Sequence, residues 1–162
     1  MRKLFVSLAL SIVAVMIATS SVGALSSPST GSARLHPYDQ SGVKARMSFL
    51  DTQDDNTGLI ITGTATGLDP TRIYFSSLHD NSSVPGGPRA CEIPEDGFDE
   101  ERMFTARWQV NADGTGTLFT VQNQGAFLPL SDFDTVGIRE LTIAGRPDLA
   151  PLVACGQVNK HK

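Results

Sequence analysis

Beyond residue 24 the chain has no stretch of helical periodicity. It is a succession of short runs rich in β-branched and aromatic residues, each cut off by turn residues. That pattern restricts the fold to an all-β sandwich or barrel. Residues 43–50 place Val43, Ala45, Met47 and Phe49 at alternate positions, so they share one face. Segment 51–58 is a polar hairpin turn in which Gly58 supplies positive φ. Its carboxylates Asp51, Asp54 and Asp55 lack the glycine and distal glutamate of a calcium loop, so a plain turn is expected. Residues 59–66 return as a β-branched strand, with Gly63 marking a bulge or a close backbone approach. Residues 103–110 set Phe104, Ala106, Trp108 and Val110 on one face, with Trp108 read as core. Asp113-Gly114 then turns the chain into a strand at 115–122. Further strands follow at 136–144 and 151–158, about seven in all.

The flanks read differently. Arg2 and Lys3 precede a run at 4–18 that is apolar apart from Ser7 and Ser11, and Val22-Gly23-Ala24 has the small residues of a cleavage site. The run is short for a membrane span, so 1–24 is expected to be a secretory signal that leaves no stable span once cleaved. The product is then secreted, periplasmic or extracellular. Residues 25–42 are dominated by Ser, Pro, Thr and Gly and are expected to form a flexible leader, with His36 solvated within it. Residues 159–162 are expected to be a tail. Loss of Arg2 and Lys3 takes the formal charge from −4 to −6. With no basic run in the remainder, nucleic acid is not an expected partner.

The segment on which the chain pivots is 67–91. It opens on a turn at Asp69-Pro70, becomes strand-like at 72–78, and ends in a Ser/Pro/Gly-rich loop at Cys91. The only other cysteine is Cys155. Two cysteines in an exported chain read as one disulfide, worth about 4 kcal/mol for a loop of this length; two free thiols are the alternative. Ser76, Ser77, His79 and Asp80 invite a hydrolase reading, but no Gly-x-Ser-x-Gly elbow is present and adjacent strand residues do not face one another. The pair His79-Asp80 is read as a loop. Asn81-Ser82-Ser83 is a glycosylation sequon, relevant in a eukaryotic host. The acidic stretch 92–102 could hold a hard cation, but a carboxylate-rich surface loop needs no ion, and a solvated loop is the expectation.

The order of these features resembles the copper/zinc superoxide dismutase family over about residues 43–158. A Gly-Leu turn (Gly67-Leu68) precedes a strand bearing the aromatic Phe75. A loop delivers Cys91, and an Ala-Asp-Gly hairpin follows at 112–114. A strand like the family's Ile-Ile-Gly-Arg-x-Leu-Val-Val-His stands at 136–144, with Arg139 in the arginine place, and Leu152-Val153-Ala154-Cys155-Gly156 resembles its final Arg-Leu-Ala-Cys-Gly. The resemblance implies a Greek-key β-barrel or sandwich, immunoglobulin-like in its layering, stapled by Cys91–Cys155.

The family's chemistry does not follow from these residues. Its copper-binding Phe-His-x-His falls on Phe75-Ser76-Ser77-Leu78, and serine oxygen is a poor copper ligand at neutral pH while leucine is none. His79 stands one position late, which on a strand directs it to the opposite face. The later copper histidine falls on Ala144, and the arginine that attracts the anionic substrate falls on Leu152. Sites of this kind need about six imidazoles, whereas the chain has three histidines, His36, His79 and His161. The expectation is an exported dismutase-like domain with no cofactor and no catalytic residue. It would act as a structural or binding module toward an unidentified protein or small molecule. The alternative is a metal-dependent superoxide dismutase or copper-handling protein that holds copper or zinc through atypical ligands, with His79 as the residue it would recruit.

Overall fold

The structure, a computed structural model, describes residues 27–53, 58–79, 91, 104–123, 129–142 and 150–161. Among these residues nine strands form one antiparallel sheet: β1 (Ser29–Pro37), β2 (Lys44–Asp51), β3 (Leu59–Thr66), β4 (Tyr74–His79), β5 (Phe104–Arg107), β6 (Gln109–Val110), β7 (Gly116–Gln122), β8 (Thr135–Glu140) and β9 (Leu152–His161). Their order is β5-β4-β8-β9-β1-β2-β3-β7-β6. The two ends of that order, β5 and β6, are halves of one extended segment interrupted at Trp108. The first half pairs with β4 and the second with β7. A single run of chain therefore joins both edges and nearly closes the sheet into a barrel, which removes the exposed edges an open sheet would present.

The expected alternation is met where it was clearest. On β2 Ala45, Met47 and Phe49 point inward while Lys44, Arg46 and Ser48 face solvent. Trp108 fills the interior at 2% exposure, and its indole donates through Nε1 to the Ser76 hydroxyl at 2.9 Å. Gly63 lies in an unbroken β2–β3 register, so it marks a close approach and not a bulge. A Cβ there would come within 2.7 Å of the Trp108 ring. Phe49 and Phe133 meet edge to face at 5.3 Å between centroids.

Three expectations need correction. Residues 25–42 do not form a flexible leader throughout: Ser29–Pro37 is a strand with partners on both sides, β2 and β9. Its inward positions are Gly31, Ala33 and Leu35, and the first two are too small to announce a buried strand. The smallness has a cause, because Leu130 packs onto Gly31 and a Cβ there would approach its Cδ1 to 3.1 Å. The tail expected from residue 159 is likewise strand as far as His161, since Thr30, Gly31 and Ser32 pair with His161, Lys160 and Asn159. Asp51 is also not a simple turn residue. It is buried, and its carboxylate accepts from the Gln53 and Leu130 amides, both at 3.1 Å, so it anchors the 3-10 turn Leu130–Asp132.

The expected signal at 1–24, the acidic stretch 92–102, the sequon at 81–83 and Ala144 lie outside the described residues. Among the described residues no helix is long and apolar enough to cross a membrane.

The central place of β1 makes a direct prediction. A chain beginning at residue 27 should keep a cooperative thermal transition. A chain beginning at Tyr38 bares the edges of β2 and β9 and should show none, as followed by circular dichroism.

Candidate functional site

Strand β4 separates two environments. Tyr74, Ser76 and Leu78 face the barrel interior, and Leu78 is fully buried there. By alternation Phe75, Ser77 and His79 lie on the outer side of the sheet. They are nonetheless buried. The neighbouring strand β8 repeats the division: Val136 and Ile138 enter the core, while Gly137 and Arg139 share the outer side with Ser77. Gly137 is paired with both Ser77 and Cys155. A Cβ at that glycine would collide with Leu152 at 2.7 Å and press on the Ser77 Oγ at 3.1 Å.

The expected disulfide is present. Cys91 and Cys155 are bonded, with Cα atoms 5.9 Å apart, so the free-thiol alternative does not apply. Beside it lies a buried polar cluster. The Arg139 guanidinium donates through Nη2 to the Cys91 carbonyl at 2.7 Å, through Nη1 to the Ala150 carbonyl at 2.9 Å, and through Nε toward the Ser77 hydroxyl at 3.4 Å. Ser77 Oγ lies 2.7 Å from His79 Nε2. A hydroxyl that accepts from Arg139 uses its own proton best by donating to Nε2, which leaves the imidazole proton on Nδ1. That Nδ1 has no hydrogen-bond partner.

The electrostatics follow from burial. Desolvation, reinforced by the Arg139 charge, pushes the His79 pKa down to about 3, so the imidazole is neutral at physiological pH. Desolvation also lowers Arg139, to about 10, which leaves it a full cation near neutrality.

His79 is thus not half of a loop pair with Asp80, as the sequence suggested. It ends β4, buried at 1% exposure. Its face is opposite to that of Ser76 and Leu78, as the one-residue offset implied. Ser77 and His79 are two residues apart and share a face, a relation that the argument from adjacent neighbours overlooks. They still make a poor nucleophile and base. Ser77 is fully buried, its partner beyond the hydroxyl is a guanidinium, and among the described residues no carboxylate orients His79. His36 lies on β1 and His161 on β9, and among the described residues neither is hydrogen-bonded to this cluster. Both lie on the outer face of the sheet, and His36 is opposite Cys155 in register. Among the described residues no three His, Cys, Asp or Glu side chains are grouped as a metal site would need. Arg139 was legible only as a motif position; its role as the hub of the cluster depends on three backbone and side-chain oxygens brought together by the fold.

Comparison with known proteins finds no matching family model and no matching curated sequence.

Two predictions follow from this geometry. Arg139→Met keeps the volume but strands the Cys91 and Ala150 carbonyls, so urea unfolding of the oxidised protein should show a loss of about 3 kcal/mol or more. The second concerns pH. The folded state holds His79 neutral while the unfolded chain titrates near 6.5, so protons bind the unfolded state preferentially. Its contribution is complete above pH 6.5 and is lost as pH falls toward 3. Between pH 6 and 4 the wild type should lose stability more steeply than His79→Gln, by up to about 1.4 kcal/mol per pH unit.

Proposed function

We propose that this chain is an exported Greek-key β-barrel of the copper/zinc superoxide dismutase-like type, stapled by one disulfide, that serves as a structural or binding module and not as a catalyst. The kinship is supported by the nearly closed antiparallel sheet and by a disulfide that runs from the segment after β4 to an Ala-Cys-Gly in the last strand.

The observation that carries the non-catalytic reading is the charge at the cluster beside β4. A permanent guanidinium cation occupies it, bonded to Ser77 and close enough to His79 to depress that imidazole's proton affinity. A cation held there by three oxygens opposes the entry of a second cation such as copper or zinc. The cluster closes hydrogen bonds between β4, β8, the Cys91 segment and the approach to β9, which is work in holding the barrel together.

The competing reading is a metal-dependent dismutase or copper-handling protein built on His79, and its unpartnered Nδ1 is the one feature that favours it. The test is metal content and superoxide scavenging of the oxidised protein folded with copper and zinc supplied. The expected result is a disulfide-bonded, folded protein with far less than one metal per chain and no chelator-sensitive scavenging. Stoichiometric metal with activity that a chelator abolishes would overturn the proposal.

A further inference from the structure

The sequence shows no basic run, yet the sheet assembles a basic surface. Successive outward positions of β1 are Thr30, Ser32, Arg34 and His36, and those of β2 are Lys44, Arg46, Ser48 and Leu50. The β1–β2 register sets Arg34 directly opposite Arg46. One further step of the same register brings His36 level with Lys44. On the far side of β2, Thr64 stands opposite Arg46 and Thr66 opposite Lys44. These six residues line a groove of about 430 Å³ on the outer surface of the barrel.

Two features of this groove are not explained by folding. Like charges directly opposite one another on neighbouring strands are destabilising. Opposed side chains lie about 5 Å apart and the next outward pair about 7 Å along the strands, so the cations crowd into one small area. Among the described residues none of Arg34, Lys44 and Arg46 has an ion-pair partner, although elsewhere on the surface Arg72 pairs with Asp69 and Glu140, and Lys160 with Asp134. The outward positions of β1, β2, β3, β7 and β9 also include no Asp or Glu, in a chain whose formal charge is −4.

We infer that the groove formed by Arg34, Lys44, Arg46 and His36 is a binding site for a small multivalent oxyanion of the phosphate type. Guanidinium groups present paired N–H donors that match tetrahedral oxyanions, and two of them face each other across the strand pair. Lys44 adds a point charge, and the Thr64 and Thr66 hydroxyls offer further donors along one wall. The ligand is small because the cations span only about one strand step. That accommodates one or two phosphate groups, not the run of phosphates along a nucleic-acid strand. This site gives the binding-module reading a ligand class. It is carried by β1, β2 and β3 and shares no residue with the Arg139 cluster, so it fails or stands independently of the metal assay.

The test is isothermal titration of the purified, disulfide-bonded full chain with sodium tripolyphosphate at low and at physiological salt, with thermal unfolding in parallel. The expected result is saturable binding with a submillimolar Kd that weakens as salt rises. Arg34→Gln/Arg46→Gln should weaken it at least tenfold, while Lys160→Gln leaves it within twofold. Without ligand at low salt, the double variant should unfold at a higher temperature than wild type, because the opposed charges are gone. Tripolyphosphate should raise the wild-type Tm and leave that of the double variant unmoved. No saturable binding by the folded wild type, or binding that the double variant retains, would overturn the inference. Association with anionic phosphatidylglycerol vesicles in the absence of tripolyphosphate binding would also overturn it, and would reassign the face to a membrane surface.

Discussion

A buried guanidinium holds the disulfide end of this barrel together. Taking a cation out of water costs several kcal/mol, and that cost is tolerable only where the donors are satisfied. Arg139 meets the requirement through two backbone carbonyls and one hydroxyl, each from a different segment. Loss of any one of those segments leaves the charge underserved. The position of Cys91, the approach to β9 and the outer side of β4 are therefore fixed together, and the Cys91–Cys155 bond reinforces covalently what the hydrogen bonds already define. Gly137 serves the same arrangement by keeping the floor beneath Ser77 and Leu152 clear.

This arrangement changes what the strand can do chemically. Ser77 and His79 sit at hydrogen-bond distance, a juxtaposition that elsewhere would invite nucleophilic or metal chemistry. Here the adjacent cation and the exclusion of water turn the same groups into a structural relay from Arg139 to the imidazole. The neutral imidazole is the affordable form of a histidine at 1% exposure, and its low pKa is a consequence of that placement.

The outer surface of β1, β2 and β3 follows another logic. Rows of outward residues run across β9, β1, β2, β3 and β7, from apolar positions at Leu50, Val121 and Phe119 to the cations Arg34, Arg46 and Lys44. Alternation makes every second residue of a strand available to solvent. A sheet can thus gather a charged surface without any charged run in the sequence. Arg34 and Arg46 are twelve positions apart in the chain and become direct neighbours through one antiparallel pairing.

The sequence by itself determined the all-β class, most of the strand positions from 43 onward, the inward side of β2, the burial of Trp108 and the pairing of the two cysteines. Each of these rests on local alternation, turn chemistry or a count, and such signals survive without knowledge of distant neighbours. Tertiary structure decided what depends on those neighbours. It made 29–37 a strand, because Gly31 and Ala33 are inward only once Leu130 and the partner strands are in place. It carried the last strand to His161, because the end of β9 is held by the start of β1. It set Ser77, His79 and Arg139 in one buried cluster and brought Arg34, Lys44 and Arg46 into one groove, since register, and not residue type, governs which side chains meet across a sheet.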